Sequence, residues 1–335
     1  MAIAARTGRD TILVTGGAGF IGSNIARALA ADGWRIVVAD WFGTGAKWKN
    51  LAGVLLDDVL QPEAVLAWLE AHHGRVEAIV HMGAISATTE ADVDLIVARN
   101  IRATFDLWEA SARHQMRLIY ASSAATYGDG AAGFVDDNSA GHLASLRPLN
   151  AYGWSKLVAD RRFIADVAAG RPTPPQWAGL RFFNVYGPNE AHKDDMRSVI
   201  HKIYPLASAG ESVTLFRSHE PAYEDGGQLR DFIHVDDCVA VMRWLIASPA
   251  VNGIFNVGTG KARSFADLAR AVFAALGREP QITYVDMPER IRKAYQYFTE
   301  ADTTRLREAG YDGQFLSLED GIARYVAALK AAEPQ

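Results

Sequence analysis

Three side chains in the middle of the chain carry the most chemical promise. Tyr152 and Lys156 stand four apart in Tyr152-Gly153-Trp154-Ser155-Lys156, a spacing that puts a phenol and an ammonium on one helix face. A phenol with an ordinary pKa of about 10 is a poor base at neutral pH, but a close cation stabilises the phenolate and brings it toward the working range. Ser123, next to Ser122 at the end of an apolar run, offers a hydroxyl that can hold a substrate oxygen beside the tyrosine. Together the three can take the proton of a carbinol as hydride leaves its carbon, and that hydride needs a nicotinamide to receive it.

A place for the nicotinamide dinucleotide is written near the start of the chain. Thr15-Gly16-Gly17-Ala18-Gly19-Phe20-Ile21-Gly22 follows the first β-branched run and opens the first amphipathic stretch. Gly16 supplies a tight turn, Gly19 lets backbone N–H groups approach a pyrophosphate at the positive end of the helix, and Gly22 lets helix and strand pack closely. Asp40, at the end of the second strand, can accept hydrogen bonds from a ribose hydroxyl. Alone it would repel a 2′-phosphate and favour NAD, whereas Lys47, seven residues on, can supply the positive charge that NADP requires. The residues leave that choice open. Asp57 or Asp58, after the third strand, can meet the adenine amino group, and His81-Met82-Gly83-Ala84 makes a small-residue turn where the cofactor's middle would pass. His81 itself reads as a packing residue.

The elements that must position these groups alternate along the chain. Ile12–Thr15, Ile36–Ala39, Val54–Leu56, Ala78–His81, Leu118–Ser122 and Leu180–Phe183 read as strands, separated by helical patterns from about Phe20, over Pro62–His72 and over about Asp94–Arg113. Continuous apolar strands between helices imply an α/β fold with a doubly wound parallel sheet buried on both faces. Residues 10–184 are expected to form the dinucleotide-binding domain, and 185–335 a smaller α/β substrate domain with segments near 231–258 packing back on the first. In that second half Phe232–Val235 and Ile254–Val257 read as strands and Asp236–Ala247 as a helix, with further helices after Ser264 and Ser317 as N-caps.

Composition narrows the partners. With 335 residues, 49% apolar and 22% charged, the profile is that of a soluble globular protein. The 34 Lys+Arg against 39 Asp+Glu leave −5 with no dense basic face, so no nucleic-acid partner is expected. The single cysteine, Cys238, excludes an internal disulfide and a Cys-based zinc cluster; it reads as a small core residue, and no metal is expected. The charged N-terminal stretch before Ile12-Leu13-Val14 does not read as a signal peptide, and no apolar run approaches the roughly 18 residues of a membrane span. A cytoplasmic protein without membrane partner is expected.

The glycine loop, Ser123, and Tyr152 with Lys156 resemble the extended short-chain dehydrogenase/reductase superfamily, whose members mostly act on nucleotide sugars. Longer segments are similar to the ADP-L-glycero-D-manno-heptose 6-epimerase family: Tyr120-Ala121-Ser122-Ser123-Ala124-Ala125-Thr126-Tyr127-Gly128, Phe183-Asn184-Val185-Tyr186-Gly187-Pro188-Asn189-Glu190-Ala191-His192-Lys193, Arg230-Asp231-Phe232, Gly253-Ile254-Phe255-Asn256-Val257-Gly258-Thr259-Gly260 and Tyr295-Gln296-Tyr297-Phe298-Thr299-Glu300-Ala301-Asp302. That family makes a precursor of the lipopolysaccharide inner core. The resemblance implies hydride removal at C6 to tightly bound NADP, a 6-keto intermediate, and return to the opposite face.

Two faces call for two acid–base groups, which the resemblance assigns to Tyr152 and to Lys193 of the His-Lys pair. From its neighbours Asp194 and Asp195 alone, Lys193 would read as a solvated loop charge. The resemblance also implies NADP contacts at Phe20, Ile21, Asp40, Trp41, Lys47, Ser86, Asn100 and Val185. It implies ADP-sugar contacts at Asn184, Asp195, Lys202, Phe216, Arg230 and Tyr295, and a homo-oligomer, a pentamer in the family. Two departures stand out: the loop His219–Leu229 is longer than in some members, and Pro62 replaces a lysine that some members use toward NADP. A nucleotide-sugar 4-epimerase is the alternative enzyme. A 4,6-dehydratase is disfavoured because Ala124-Ala125 follow Ser123 where such enzymes carry an Asp-Glu pair. A non-catalytic cofactor-binding regulator would need the glycine loop but neither the tyrosine nor the lysine.

Overall fold

The computed structural model describes residues 8–292 and 295–333, so the charged N-terminal stretch through residue 7 lies outside it. Seven strands form the central sheet: β1 (Thr11–Thr15), β2 (Arg35–Ala39), β3 (Asp58–Leu60), β4 (Val76–His81), β5 (Arg117–Ser123), β6 (Trp177–Phe182) and, from far along the chain, β10 (Gly253–Val257). Their order is β10-β6-β5-β4-β1-β2-β3, and every pairing is parallel. Successive side chains of a strand face opposite ways. Accordingly Ile12, Val14, Ile36, Val38 and Val80 join one buried cluster with the helices Phe20–Ala31 and Val235–Ala247, while Leu13, Val37, Ile79 and Leu118 join another with Trp68, Trp108 and Phe163. Both faces are covered, as the apolar strands require.

The remaining strands build a smaller lobe. β7 (Asn184–Tyr186) pairs parallel with β9 (Leu229–His234), which pairs antiparallel with β11 (Ala262–Ser264). β8 (Val213–Phe216) pairs parallel with β12 (Ile282–Val285). Helices Val199–Ala209, Phe265–Ala275 and Leu318–Ala332 enclose a third core with them. Ser264 caps its helix in a capping box with Asp267, and Ser317 caps the last helix at the Asp320 amide. Cys238 is fully buried in the helix Val235–Ala247, as its pattern implies.

The structure departs from the sequence pattern in two places. The third strand is Asp58–Leu60, not Val54–Leu56: Val54 closes a turn onto Leu51 and packs on the core with Leu56, Leu55 is 87% exposed, and the chain reaches β2 only at Asp57. The long helix after β4 is interrupted by a π-helical segment, Val97–Arg102, between Val93–Ile96 and Ala103–His114. Such bulges collect at functional sites because they re-aim side chains. Here the segment carries Arg99 and Asn100.

Candidate active site

The C-terminal edge of the sheet, where the strand order reverses between β1 and β4, opens into a cavity of about 660 Å³. Gly16 begins its floor at φ 64°, and a Cβ there would lie 2.6 Å from the Gly83 nitrogen, so only glycine lets the two turns touch. Gly22 faces the Gly16 carbonyl, where a Cβ would stand at 2.2 Å; its smallness serves contact with the loop rather than with a strand. The loop leads straight into the helix Phe20–Ala31, whose first turn aims backbone N–H groups at the cavity. A diphosphate fits this cradle.

Asp40 is buried at the end of β2, accepts the Ala18 amide at 2.9 Å, and pairs with the Lys47 ammonium at 2.6 Å. Beside it the Arg99 guanidinium lies 4.1 Å from the Trp41 ring centroid, and Trp41 Nε1 donates to the Glu63 carboxylate at 3.0 Å. On the other wall His81 holds Thr15 Oγ1 at 2.6 Å and Thr104 Oγ1 at 2.9 Å. Burial and the Lys156 charge push its pKa down to about 3, so it is a neutral packing group with both nitrogens engaged.

The helix Ala151–Ala168 brings the acid–base pair. Asn150 caps it by accepting the Gly153 amide at 2.8 Å, and Gly153 packs so close that a Cβ would lie 2.5 Å from the Ala125 carbonyl. That approach sets Tyr152 beside Ser123 at the end of β5. Burial raises the phenol pKa, while a hydrogen bond with the Ser123 hydroxyl pulls the other way. Lys156 is buried, with Nζ 6.0 Å from the Tyr152 ring centroid; desolvation brings it down to about 8, against the pull of Asp160 one turn on. The expected lowering of the phenol by its lysine is therefore corrected: loss of water around the phenolate raises it, and the opposing pull comes from Ser123.

The cavity's last wall is β7 and the segment after it. Val185, His192 and Lys193 line it, and Lys193 Nζ sits 5.5 Å from the Phe20 ring centroid. Burial lowers the Lys193 pKa, opposed by Glu190. An amine of this kind can exchange protons more readily than a solvated lysine.

Of the residues singled out in the sequence, Gly16, Gly19, Phe20, Ile21, Gly22, Asp40, Trp41, Lys47, Met82, Gly83, Ala84, Ser86, Ser123, Tyr152, Lys156, Val185 and Lys193 line this one cavity. Three cofactor candidates do not. Asp58 lies in β3, where its carboxylate accepts Trp68 Nε1 and the Val59 amide, and Asp57 is held by Arg35 and Arg75. Asn100 is buried behind the wall, its amide bonded to both backbone groups of Ile85 and to Ser155 Oγ, so it shapes the turn that carries Ser86.

Apart from Ser123, the substrate candidates stand outside the cavity lining, in the smaller lobe. Arg230 is buried, 5.2 Å from the Tyr295 ring, and donates to the Leu229 and Gln296 carbonyls. Phe216 ends β8, Asn184 begins β7, and Lys202 donates to the Asp195 carbonyl at 2.6 Å. Sequence reasoning missed Arg99 and Asn50, which no local motif marks. Among the described residues no group of His, Cys, Asp and Glu could hold a metal, and no helix is long and apolar enough to cross a membrane.

The sequence model of the NAD dependent epimerase/dehydratase family matches residues 12–258. The chain belongs to that family. Within it, the ADP-L-glycero-D-manno-heptose-6-epimerase of Nitratidesulfovibrio vulgaris is 50% identical over 328 residues, 96% of this chain and 99% of the relative. The enzyme of the same name from Fusobacterium nucleatum is 41% identical over 332 residues, with 96% and 98% covered. A crystal structure of the Helicobacter pylori ADP-L-glycero-D-manno-heptose-6-epimerase superposes with a TM-score of 0.80 at 30% identity, over 96% of this chain and 97% of that one. A Thermus thermophilus UDP-glucose 4-epimerase in complex with NAD gives 0.75 at 25% identity, over 96% and 100%. This member of the family is an epimerase, an isomerase on the Rossmann-like fold, and its cavity is that of a nicotinamide dinucleotide enzyme.

Proposed function

We propose that the protein interconverts ADP-D-glycero- and ADP-L-glycero-β-D-manno-heptose by inverting C6 through a 6-keto intermediate, with NADP held throughout. The observation that carries the reading is that Lys193 and Tyr152 enter one cavity from different elements, the segment after β7 and the helix Ala151–Ala168. Inversion needs a proton acceptor and donor for each presentation of the carbinol, and the two side chains supply them.

When bound, the nicotinamide supplies the hydride acceptor and donor. Tyr152 takes or returns the hydroxyl proton on one side, with Ser123 holding the oxygen in place, and Lys193 does so on the other. Lys156 carries positive charge beside the phenol. The glycine loop and the N-terminus of the helix Phe20–Ala31 would hold the diphosphate of the cofactor, and Asp40 would meet a ribose hydroxyl. Two features support NADP: Lys47 already compensates the Asp40 carboxylate, and Arg99 adds a second cation at that end of the cavity.

Residues 10–184 with β10 serve the cofactor, and 185–335 otherwise serve the sugar nucleotide, whose diphosphate suits Arg230. The chain works in the cytoplasm as a homo-oligomer in this reading. The test is NMR of ADP-D-glycero-β-D-manno-heptose incubated with the protein in D2O. Inversion at C6 without deuterium entry is expected, with Lys193→Met retaining cofactor but not inverting; deuterium at C6, or full turnover by Lys193→Met, overturns the mechanism.

A further inference from the structure

The Lys193 segment is not a free loop. Asn50, in the short 3-10 helix Lys47–Leu51, turns its side-chain Nδ2 to the Ala18 carbonyl of the glycine loop at 2.9 Å, the Asn189 carbonyl at 3.2 Å and the His192 Nδ1 at 3.2 Å. Two more amides lace the same seam. Asn24 Nδ2 donates to the Phe20 carbonyl at 2.9 Å and the Pro188 carbonyl at 3.0 Å, and Asn189 Nδ2 donates to Ser23 Oγ at 3.0 Å. The backbone they hold turns sharply: Asn189 at φ 75° and Asp194 at φ 46° bracket Lys193 at positive φ, a region that Asn and Asp enter more readily than other non-glycine residues. The Lys193 amide closes a turn on the Glu190 carbonyl at 3.0 Å, and Glu190 in turn grips the Ser198 amide and hydroxyl.

We propose that Asn50 is a positioning residue for Lys193. One side-chain amide joins three parts of the site: the glycine loop, the short helix that carries Lys47, and the segment that carries the second acid–base group. The placement of Lys193 is thereby set by the same backbone that grips the cofactor. Ala18 stands between glycines Gly17 and Gly19 and also donates its amide to Asp40, so the residue that meets Asn50 is itself fixed by the cofactor-facing carboxylate. The inference rests on Lys193 acting as the second acid–base group.

Three variants test it, each purified as holoenzyme with nicotinamide content read from its absorbance. Asn50→Ala should lower kcat for epimerisation about 10–100-fold, the scale set by a roughly 1 Å misplacement of a catalytic group. KM should stay within about twofold, since no substrate contact is removed, and cofactor content should match wild type. Asn50→Asp keeps the size of the side chain but removes both N–H donors and should show a loss of the same kind; it also serves where Asn50→Ala does not fold. A wild-type kcat per bound cofactor in either folded variant overturns the proposal, as does a loss fully accounted for by missing cofactor. Lys193→Met runs alongside: if it is inactive while the asparagine variants turn over normally, only the positioning role fails, and if it is fully active the reading of the site beneath it fails.

Discussion

The glycine-loop wall of the cofactor cavity and the Arg230 cluster meet their charges in opposite ways. Around the glycine loop each buried polar group already has a partner: Asp40 has Lys47 and the Ala18 amide, His81 has two threonine hydroxyls, and Asn100 has the Ile85 backbone. In the smaller lobe, Arg230 is buried against Tyr295 and bonded only to carbonyl oxygens; among the described residues no carboxylate pairs with it. Burial lowers its pKa, with Tyr295 and Tyr223 opposing. A guanidinium withdrawn from water without a counter-charge is costly to the folded chain, and an anion arriving there recovers that cost. The glycine-loop wall is complete before any ligand comes, whereas under the proposed function the Arg230 cluster would be completed by a phosphate of the sugar nucleotide.

Substitutions sharpen this contrast. The largest effect is expected on the catalytic side of the cavity: under the proposed function Tyr152→Phe removes the acid–base phenol and should cut turnover about 10²–10⁴-fold while cofactor content stays unchanged. Retention of turnover, measured by NMR of the heptose, would break the assignment of Tyr152. Next comes Arg230→Ala, which should weaken ADP-sugar binding by about 1.5–3 kcal/mol, the range for hydrogen bonds to a charged group, and leave cofactor affinity alone. Calorimetric titration with ADP-sugar checks it, and unchanged affinity would mean that the cluster is merely packing. The smallest is Lys47→Ala: it leaves the buried Asp40 carboxylate without its lysine, and the expected result is a several-fold shift in preference from NADP toward NAD. Fluorescence titration with the two reduced dinucleotides reads that ratio directly.

The same contrast explains what could be read beforehand. The cofactor region is encoded in contiguous stretches, Thr15–Gly22, His81–Ala84 and Tyr152–Lys156, because strand–turn–helix geometry fixes where each residue of a short motif must go. Arg230, Tyr295 and Phe216 lie on separate strands and loops, and only family resemblance brought them together on paper. Asn50 was invisible for a related reason: its partners Ala18, Asn189 and His192 reach it only after the chain has folded. Spacing placed Tyr152 and Lys156 on one helix face but said nothing of the water each would lose, so the direction of the phenol shift was missed. The displaced third strand has a simpler cause. Val54, Leu55 and Leu56 have the composition of a strand, yet the turn closed by Val54 onto Leu51 delays pairing until Asp57 and Asp58.

The edge strand β10 has a consequence for synthesis. Its partner β6 is made some seventy residues earlier, and the pairing runs from Gly253↔Ala178 to Val257↔Phe182. Until residues 253–257 leave the ribosome, the nascent sheet ends in an uncapped row of β6 amides and carbonyls, open to strand exchange with a neighbouring chain. A fragment stopped short of β10 would carry an intact glycine loop but leave the β6 edge unpaired and the core positions of Ile254, Phe255 and Val257 empty.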